Sequence, residues 1–212
     1  FRNLDASGLF DAEFLAKVLI RAFMEAHTTT SQRKPADCVW IDGSSFLFRA
    51  YFALPNLTGP KGEPVGAIYG MIAMLKKLFA DYYPKHVAVV FDRPGPTMRH
   101  QIYPEYKANR ASMPEDLAQQ IDPLQQIIAA LGFPLVMHDG IEADDLMATL
   151  VAKAKAVGLS SLIVTVDKDM AQLVDDQVTL YHSTKQQMID RQGVFDKYGV
   201  YPEQIIDYLA LM

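Results

Sequence analysis

Three apolar runs in this chain end in aspartate: Val39-Trp40-Ile41-Asp42, Val87-Ala88-Val89-Val90-Phe91-Asp92 and Leu162-Ile163-Val164-Thr165-Val166-Asp167. Short β-branched runs without polar alternation read as strands buried on both faces, which requires a parallel sheet covered by helices. Ligands of such sheets sit at the carboxyl ends of the strands. Three aspartates there share a small volume. At roughly 4 Å each like-charged pair costs about 4 kcal/mol at an effective dielectric near 20. Such a cluster exists only with protons or cations, and an oxygen-only set suits a hard divalent ion such as magnesium or manganese. One aspartate in this position reads more readily as a turn or helix N-cap residue. Three together favour the ion.

Two further acidic groups join them. Glu142-Ala143-Asp144-Asp145 opens a helix after a turn at Gly140, and Glu142 and Asp145 share a face at a spacing of three. Acids in a first turn also complement the helix dipole, but three in four positions exceed that need. Asp167-Lys168-Asp169 adds a second carboxylate just past a strand end.

Bases are equally localised. Arg93, Arg99, His100, Lys107 and Arg110 lie in one stretch after Asp92, with Tyr103 and Tyr106 among them. Pro94, Gly95, Pro96 and Pro104 interrupt any single helix there, so a mobile loop or arch is expected. Bases mixed with aromatics suit phosphate contact and base stacking. Composition alone allows a solvated surface loop equally, and the place directly after Asp92 favours substrate contact. Arg49 and Tyr51 fall one or two turns past Asp42, where Tyr51 and Phe52 also read as core aromatics.

Carboxylates holding two divalent ions beneath Lys and Arg are an apparatus for phosphodiester hydrolysis. One ion lowers the pKa of a bound water, and both stabilise charge on the reacting phosphate. His27, His86, His100, His138 and His182 are scattered, which leaves a His-rich zinc site unsupported. No Gly-rich loop carrying Lys-Ser/Thr is present, against a nucleotide triphosphatase. Ser44 and Ser45 are not flanked as a nucleophile elbow.

The elements that must position these groups emerge from the remaining pattern. With 212 residues, half of them hydrophobic, the chain can build one large domain, or one domain and an appendage. Twenty bases against 25 acids leave a net charge of −5, which speaks against nucleic acid unless the acids are gathered in a metal site. The single Cys38 excludes an internal disulfide and reads as a buried, inert thiol in a reducing compartment. No apolar stretch reaches membrane-spanning length, and residues 14–23 are broken by Lys17 and Arg21, against a secretory signal.

Residues 1–34 read as a separate unit: an amphipathic helix over residues 9–26, then a polar linker Thr28–Pro35. That helix docks on the main domain or on a partner, or is an added remnant. Beyond it, helices are expected at Ala67–Tyr82, Leu117–Leu131 and Ala143–Val157, with Gly132 and Gly158 as stops. A short helix is expected near residues 169–174, and helical segments at Val194–Tyr198 and Pro202–Met212. Strands alternate with them, including Phe133–Met137 and an edge strand at Val178–His182. The expected fold is α/β: a mainly parallel central sheet with helices on both faces and a basic arch.

The motifs together resemble the 5′-nuclease domain at the N-terminus of bacterial DNA polymerase I, within the flap endonuclease family. The resemblance runs through Asp42-Gly43-Ser44-Ser45 with Arg49-Ala50-Tyr51, Phe91-Asp92 with Arg99, and Tyr103-Pro104-Glu105-Tyr106-Lys107-Ala108-Asn109-Arg110. It continues through Met113-Pro114, Glu142-Ala143-Asp144-Asp145, Asp167-Lys168-Asp169-Met170-Ala171-Gln172-Leu173, Tyr198-Gly199-Val200 and Ile206-Asp207-Tyr208-Leu209-Ala210-Leu211-Met212. It covers roughly residues 37–212, in order, so residues 35–212 are expected to form the catalytic domain.

The resemblance implies a PIN-like fold and a divalent-metal 5′→3′ exonuclease and flap endonuclease of replication and repair. Asp42, Asp92, Glu142, Asp144, Asp145, Asp167 and Asp169 would be metal ligands for magnesium (or manganese), with two ions expected in the complete family member, whose Gly-Asp-x-Ser-Asp stretch completes the second site. Lys107 and Arg110 would be arch bases steering the scissile phosphate, with Arg99 and Tyr103 helping at the arch base. Arg49, Tyr51, Tyr103 and Tyr106 would contact substrate. The implied partner is DNA bearing 5′ ends, flaps or nicks, with a polymerase domain in the same longer chain, at the bacterial nucleoid in the cytoplasm and away from any membrane.

The chain departs from the family in three ways. It ends at Met212, before the Gly-Asp-x-Ser-Asp stretch and the helix–turn–helix with which the family continues. Val166 stands where the family usually carries a small residue, and residues 1–34 match nothing in it. Two alternatives remain open: a catalytically silent binder of DNA structures, and a single-metal RNA-cleaving relative.

Overall fold

Uninterrupted apolar runs need cover on both faces, and the fold provides it. The computed structural model describes residues 34–212 apart from Asn56 and Thr184. The helix expected at residues 9–26 lies outside the described residues. Six strands form one sheet in the order β3-β2-β1-β4-β5-β6. They are β1 (Lys34–Asp42), β2 (Tyr82–Val90), β3 (Leu135–Val136), β4 (Ser161–Val164), β5 (Val178–His182) and β6 (Gln187–Ile189). β1 to β5 are parallel, and β6 returns antiparallel to β5.

Alternate residues of each strand enter separate cores. Val39, Ile41, Val89, Phe91, Leu162 and Val164 pack with α1 (Gly43–Ala53), α2 (Gly66–Asp81) and α4 (Glu115–Ala130). Cys38, Trp40, Ala88, Val90, Ile163 and Leu180 face the other way, against α5 (Ala143–Ala156), α6 (Arg191–Tyr198) and α7 (Ile205–Ala210). Between them in the chain lie the short α3 (Met98–Ile102) and a 3₁₀ helix at Asp169–Leu173. Period-2 alternation between two cores is why the strands read as continuous apolar runs. Cys38 is buried, and burial, then the charge of Asp37, pushes its thiol pKa up. Among the described residues no helix is long and apolar enough to cross a membrane.

The crossovers fix where the site must lie. β1→β2 and β2→β3 carry α1, α2 and α4 over one face. β3→β4 carries α5 over the other and returns on the far side of β1. The chain therefore reverses direction between β1 and β4, the crevice where open α/β sheets bind ligands. The three aspartate-tipped strands β2, β1 and β4 are neighbours around it.

Three local expectations change. β5 is not an edge strand, because β6 pairs with it through Leu180↔Ile189, Tyr181↔Met188 and His182↔Gln187. Three residues with an exposed Gln187 and Met188 carry too little apolar pattern to announce a strand. β1 begins at Lys34, inside the polar segment read as linker, and is held there by pairing with β2. The basic stretch contains α3 and then successive turns: the amides of Tyr106, Ala108 and Arg110 bond the carbonyls of Tyr103, Glu105 and Lys107.

Candidate metal centre

Strand register places the acids. Asp42 pairs with Val90 on β2, so Asp92 stands two residues above it. Ile41 pairs with Val164 on β4, so Thr165 is level with Asp42 and Asp167 is two residues above. Asp42 is 3% exposed and caps α1, accepting from the Ser45 amide at 2.8 Å. Its other oxygen accepts from the Ser45 hydroxyl at 2.5 Å and from the Thr165 hydroxyl at 2.7 Å. The helix-cap reading of Asp42 is therefore correct and does not exclude the second role. Gly43 at the start of α1 admits the Phe91 ring, which would lie 2.7 Å from any Cβ there.

Asp92 brings in α5. Its carboxylate accepts the Ala143 amide at 2.8 Å, capping a helix whose own N-cap, Glu142, makes no capping bond. The Asp92 amide donates to the Ser44 hydroxyl at 3.0 Å. Asp144, in the first turn of α5, then sits among the strand-end acids. Burial, followed by the charges of Asp167, Asp42 and Asp92, pushes its carboxyl from 3.8 up to about 7. Burial and the charge of Asp92 likewise raise Asp42, despite its three donors. Burial and Asp167 raise Asp169, whose amide bonds the Asp167 carboxylate at 2.9 Å. Asp42, Asp92, Asp144 and Asp167 thus form one mutually repelling group.

Glu142 and Asp145 are held differently. Arg99 donates to both oxygens of Asp145, at 2.5 and 2.9 Å, and this pair lowers the Asp145 pKa and raises that of Arg99. Glu142 is 5% exposed and gathers Lys107 Nζ at 3.1 Å, Arg99 at 3.2 Å and the Tyr106 hydroxyl at 3.2 Å. A buried carboxylate needs such partners. Lys107 also lies 5.0 Å over the Tyr106 ring and adopts φ +58°, a left-handed conformation unusual for a lysine.

The remaining expected site residues stand apart from this group. Arg49 donates to the Ser183 hydroxyl at 2.6 Å. Tyr51 packs against the core and donates to Asp116 at 2.9 Å. Tyr103 is exposed and bonds Glu105 at 2.9 Å. Arg110 is exposed, close enough to Lys107 to oppose its charge, and has no ion pair among the described residues.

In this arrangement no three Asp, Glu, His or Cys side chains among the described residues converge on a single ion position. The hydrogen bonds explain why. Each strand-end carboxylate accepts from a donor of the protein, Asp145 pairs with Arg99, and Glu142 pairs with Arg99 and Lys107. The donor chemistry still fits a hard divalent cation: oxygen atoms only, four anions in mutual electrostatic reach, and one of them with its pKa raised to about 7 by its setting.

The raised Asp144 pKa has a pH signature. Between pH 3.8 and about 7 the folded chain holds a proton that the unfolded chain has released. Stability therefore falls as pH rises through that window. Asp144→Asn removes the penalty. Discounted for partial solvent access, the gain at pH 8 is about 1–2 kcal/mol, or roughly 2–8 °C in Tm, and smaller at pH 5. Thermal melts in chelator at both pH values check this, and equal shifts would contradict it.

With this geometry in place, comparison with known families is decisive. The model for the 5′-3′ exonuclease N-terminal resolvase-like domain matches residues 37–199. The chain belongs to that family. DNA polymerase I of Pseudomonas aeruginosa is 49% identical over 177 residues, covering 84% of this chain and 19% of that protein. The 5′-3′ exonuclease of Aquifex aeolicus is 41% identical over 172 residues, covering 81% of this chain and 60% of the relative. The chain thus spans less than two thirds of these relatives. Among solved structures, the T5 D15 protein co-crystallised with metal ions aligns with TM-score 0.67 at 23% identity, over 83% of this chain and 66% of that one. T5 5′-exonuclease bound to zinc aligns with TM-score 0.59 at 20% identity, over 82% and 64%. These two likenesses establish the exonuclease-family fold.

In this exonuclease-family chain the hydroxyls are what sequence reading misses. Ser44, Ser45 and Thr165 hold the strand-end acids, and Thr97 reaches Glu142 at 3.4 Å. The available signal is a Ser or Thr within three residues of Asp42 and of Asp167; Asp92, whose hydroxyl partner Ser44 is 48 positions away, offers none. Ser44 and Ser45 invite attention only as nucleophiles, and Thr165 only as a strand residue.

Proposed function

We propose that this chain is a divalent-metal-dependent 5′→3′ exonuclease and structure-specific 5′-flap endonuclease. It hydrolyses DNA phosphodiester bonds in primer and flap removal during replication and repair, at the nucleoid in the cytoplasm. Its partner is DNA with 5′ ends, flaps or nicks, and a polymerase domain in the same longer chain is part of the proposal. The observation that carries the reading is the four-aspartate group at the switch point, with the Asp144 pKa raised to about 7. Family membership and the DNA polymerase I and 5′-3′ exonuclease relatives support it.

Asp42, Asp92, Asp144 and Asp167 would hold magnesium or manganese, with Asp169, Glu142 and Asp145 beside them, and two ions are proposed for the complete family member. Ions bound there supply charge neutralisation and a lowered pKa for attacking water. Lys107 and Arg99 are already at the rim of the acidic group, where they would turn from Glu142 and Asp145 to a phosphate. Arg110 is exposed on the same turn-rich segment and would meet the backbone beside it. Tyr103 and Tyr106 offer stacking faces. Arg49 and Tyr51, engaged by Ser183 and Asp116, would contact substrate only by leaving those partners.

The pairing of Glu142 and Asp145 with Arg99 and Lys107 favours one second reading, a silent binder of DNA structures. Incubation with an end-labelled 5′-flap separates the two. The nuclease reading expects product with magnesium and none with chelator, and loss of product on Asp167→Ala. Flap binding without product, in this chain and in a version continued past Met212, would leave only the binder.

A further inference from the structure

Thr165 is 2% exposed and is neither one of the acids nor one of the bases of the site. It lies at the switch point, one residue past β4 and level with Asp42 on β1. Its amide bonds the Tyr181 carbonyl at 3.3 Å, which fixes its backbone to β5. Its hydroxyl makes two bonds: it accepts the Asp167 amide at 3.0 Å and lies 2.7 Å from the Asp42 carboxylate. A hydroxyl has one proton. Because the Asp167 N–H occupies a lone pair, that proton points at Asp42. The Thr165 hydroxyl therefore joins the central strand-end aspartate to the loop that carries Asp167.

We propose that Thr165 is the positioning residue of the metal centre, setting the Asp42 carboxylate and the Asp167 loop in one register. This rests on the divalent-metal reading above. Buried at the switch point, the hydroxyl has no bulk water as an alternative partner, so the bond to Asp42 is costly to leave unmade. The β-branched side chain is stiff at χ1, so the hydroxyl does not wander. Asp42 is otherwise held only by Ser45, from α1, so Thr165 is its sole hydrogen-bonded tie to the β4 side among the described residues. Repulsion from Asp92 acts on Asp42 continuously, and a fixed donor on one carboxylate oxygen decides how the carboxylate stands against it.

The roles of side chain and hydroxyl separate cleanly. Thr165→Val keeps the shape and removes the donor; Thr165→Ser keeps the donor and removes the methyl. Manganese titration by calorimetry, with the metal alone as probe, is measured on the wild-type chain and both variants at one pH. The expected result is manganese binding weakened by about 10- to 100-fold in Thr165→Val, the usual range for groups that orient metal ligands. Thr165→Ser stays within a few-fold of wild type. If Thr165→Val does not fold, Thr165→Ala carries the same comparison. Wild-type affinity in the Val or Ala variant overturns the inference and leaves the metal reading standing. Equal losses in Ser and Val overturn it too, since the hydroxyl would not be what matters. A wild-type chain that takes up no manganese overturns the metal reading and this inference with it.

Discussion

Asp92→Ala is expected to lower magnesium-dependent 5′-flap cleavage by at least about 10³-fold, some 4 kcal/mol of transition-state stabilisation. The chain should stay folded. The Asp92 side chain is largely exposed and makes one structural bond, the 2.8 Å cap on the Ala143 amide. Losing a cap costs about 1 kcal/mol, or roughly 2–4 °C in Tm for a chain of this size. The two effects differ by several kcal/mol, so a functional aspartate and a structural one cannot be confused. Single-turnover cleavage with a parallel thermal melt decides it. Cleavage within a few-fold of wild type would remove Asp92 from the metal set. Loss of folding would make its role structural.

Lys107→Ala has the second largest expected effect, cleavage lower by about 10- to 100-fold, the loss of one charge-assisted contact to phosphate. Lys107 stands between two tasks. Its ammonium is 3.1 Å from Glu142 and also lowers the pKa of Asp144, so it belongs electrically to the acidic group. Its left-handed backbone sits in a segment of successive turns, able to present the ammonium outward. A phosphate contact leaves a second trace. The slope of log binding constant against log salt should flatten by about one on Lys107→Ala. An unchanged slope with unchanged cleavage would confine Lys107 to neutralising Glu142. Glu142 keeps Arg99 and Tyr106 in the variant, so the chain should not unfold.

The strand ends were legible because burial writes itself into sequence. Runs such as Val87–Phe91 and Leu162–Val164 carry no polar residue facing a core, so the acids just past them stand at an edge of the sheet. The start of α5 was legible from its acids and the Gly140 turn. What sequence could not show was which partner each acid would take. Arg99 is 46 positions from Asp145, and Lys107 is 35 positions from Glu142. Only the return of α5 across the sheet brings them together. Asp92 capping α5 is likewise a tertiary event, since the helix's own N-cap residue leaves the task to a residue just past the end of β2. β6 stayed invisible because a three-residue strand is stabilised by its neighbour rather than by its own pattern. Thr165 was hidden by type: in a β-branched run threonine reads as a strand former, and its hydroxyl adds no signature.

Manganese bound to crystals of this chain and located by anomalous scattering addresses the gathering of the acids most directly. The expected result is density at the carboxyl end of the sheet, bounded by Asp42, Asp92, Asp144 and Asp167, with Asp42 still held by the Thr165 hydroxyl and the other carboxylates turned toward the ion. Saturated crystals with no density at that edge, or with manganese held only by acids elsewhere on the surface, would contradict it.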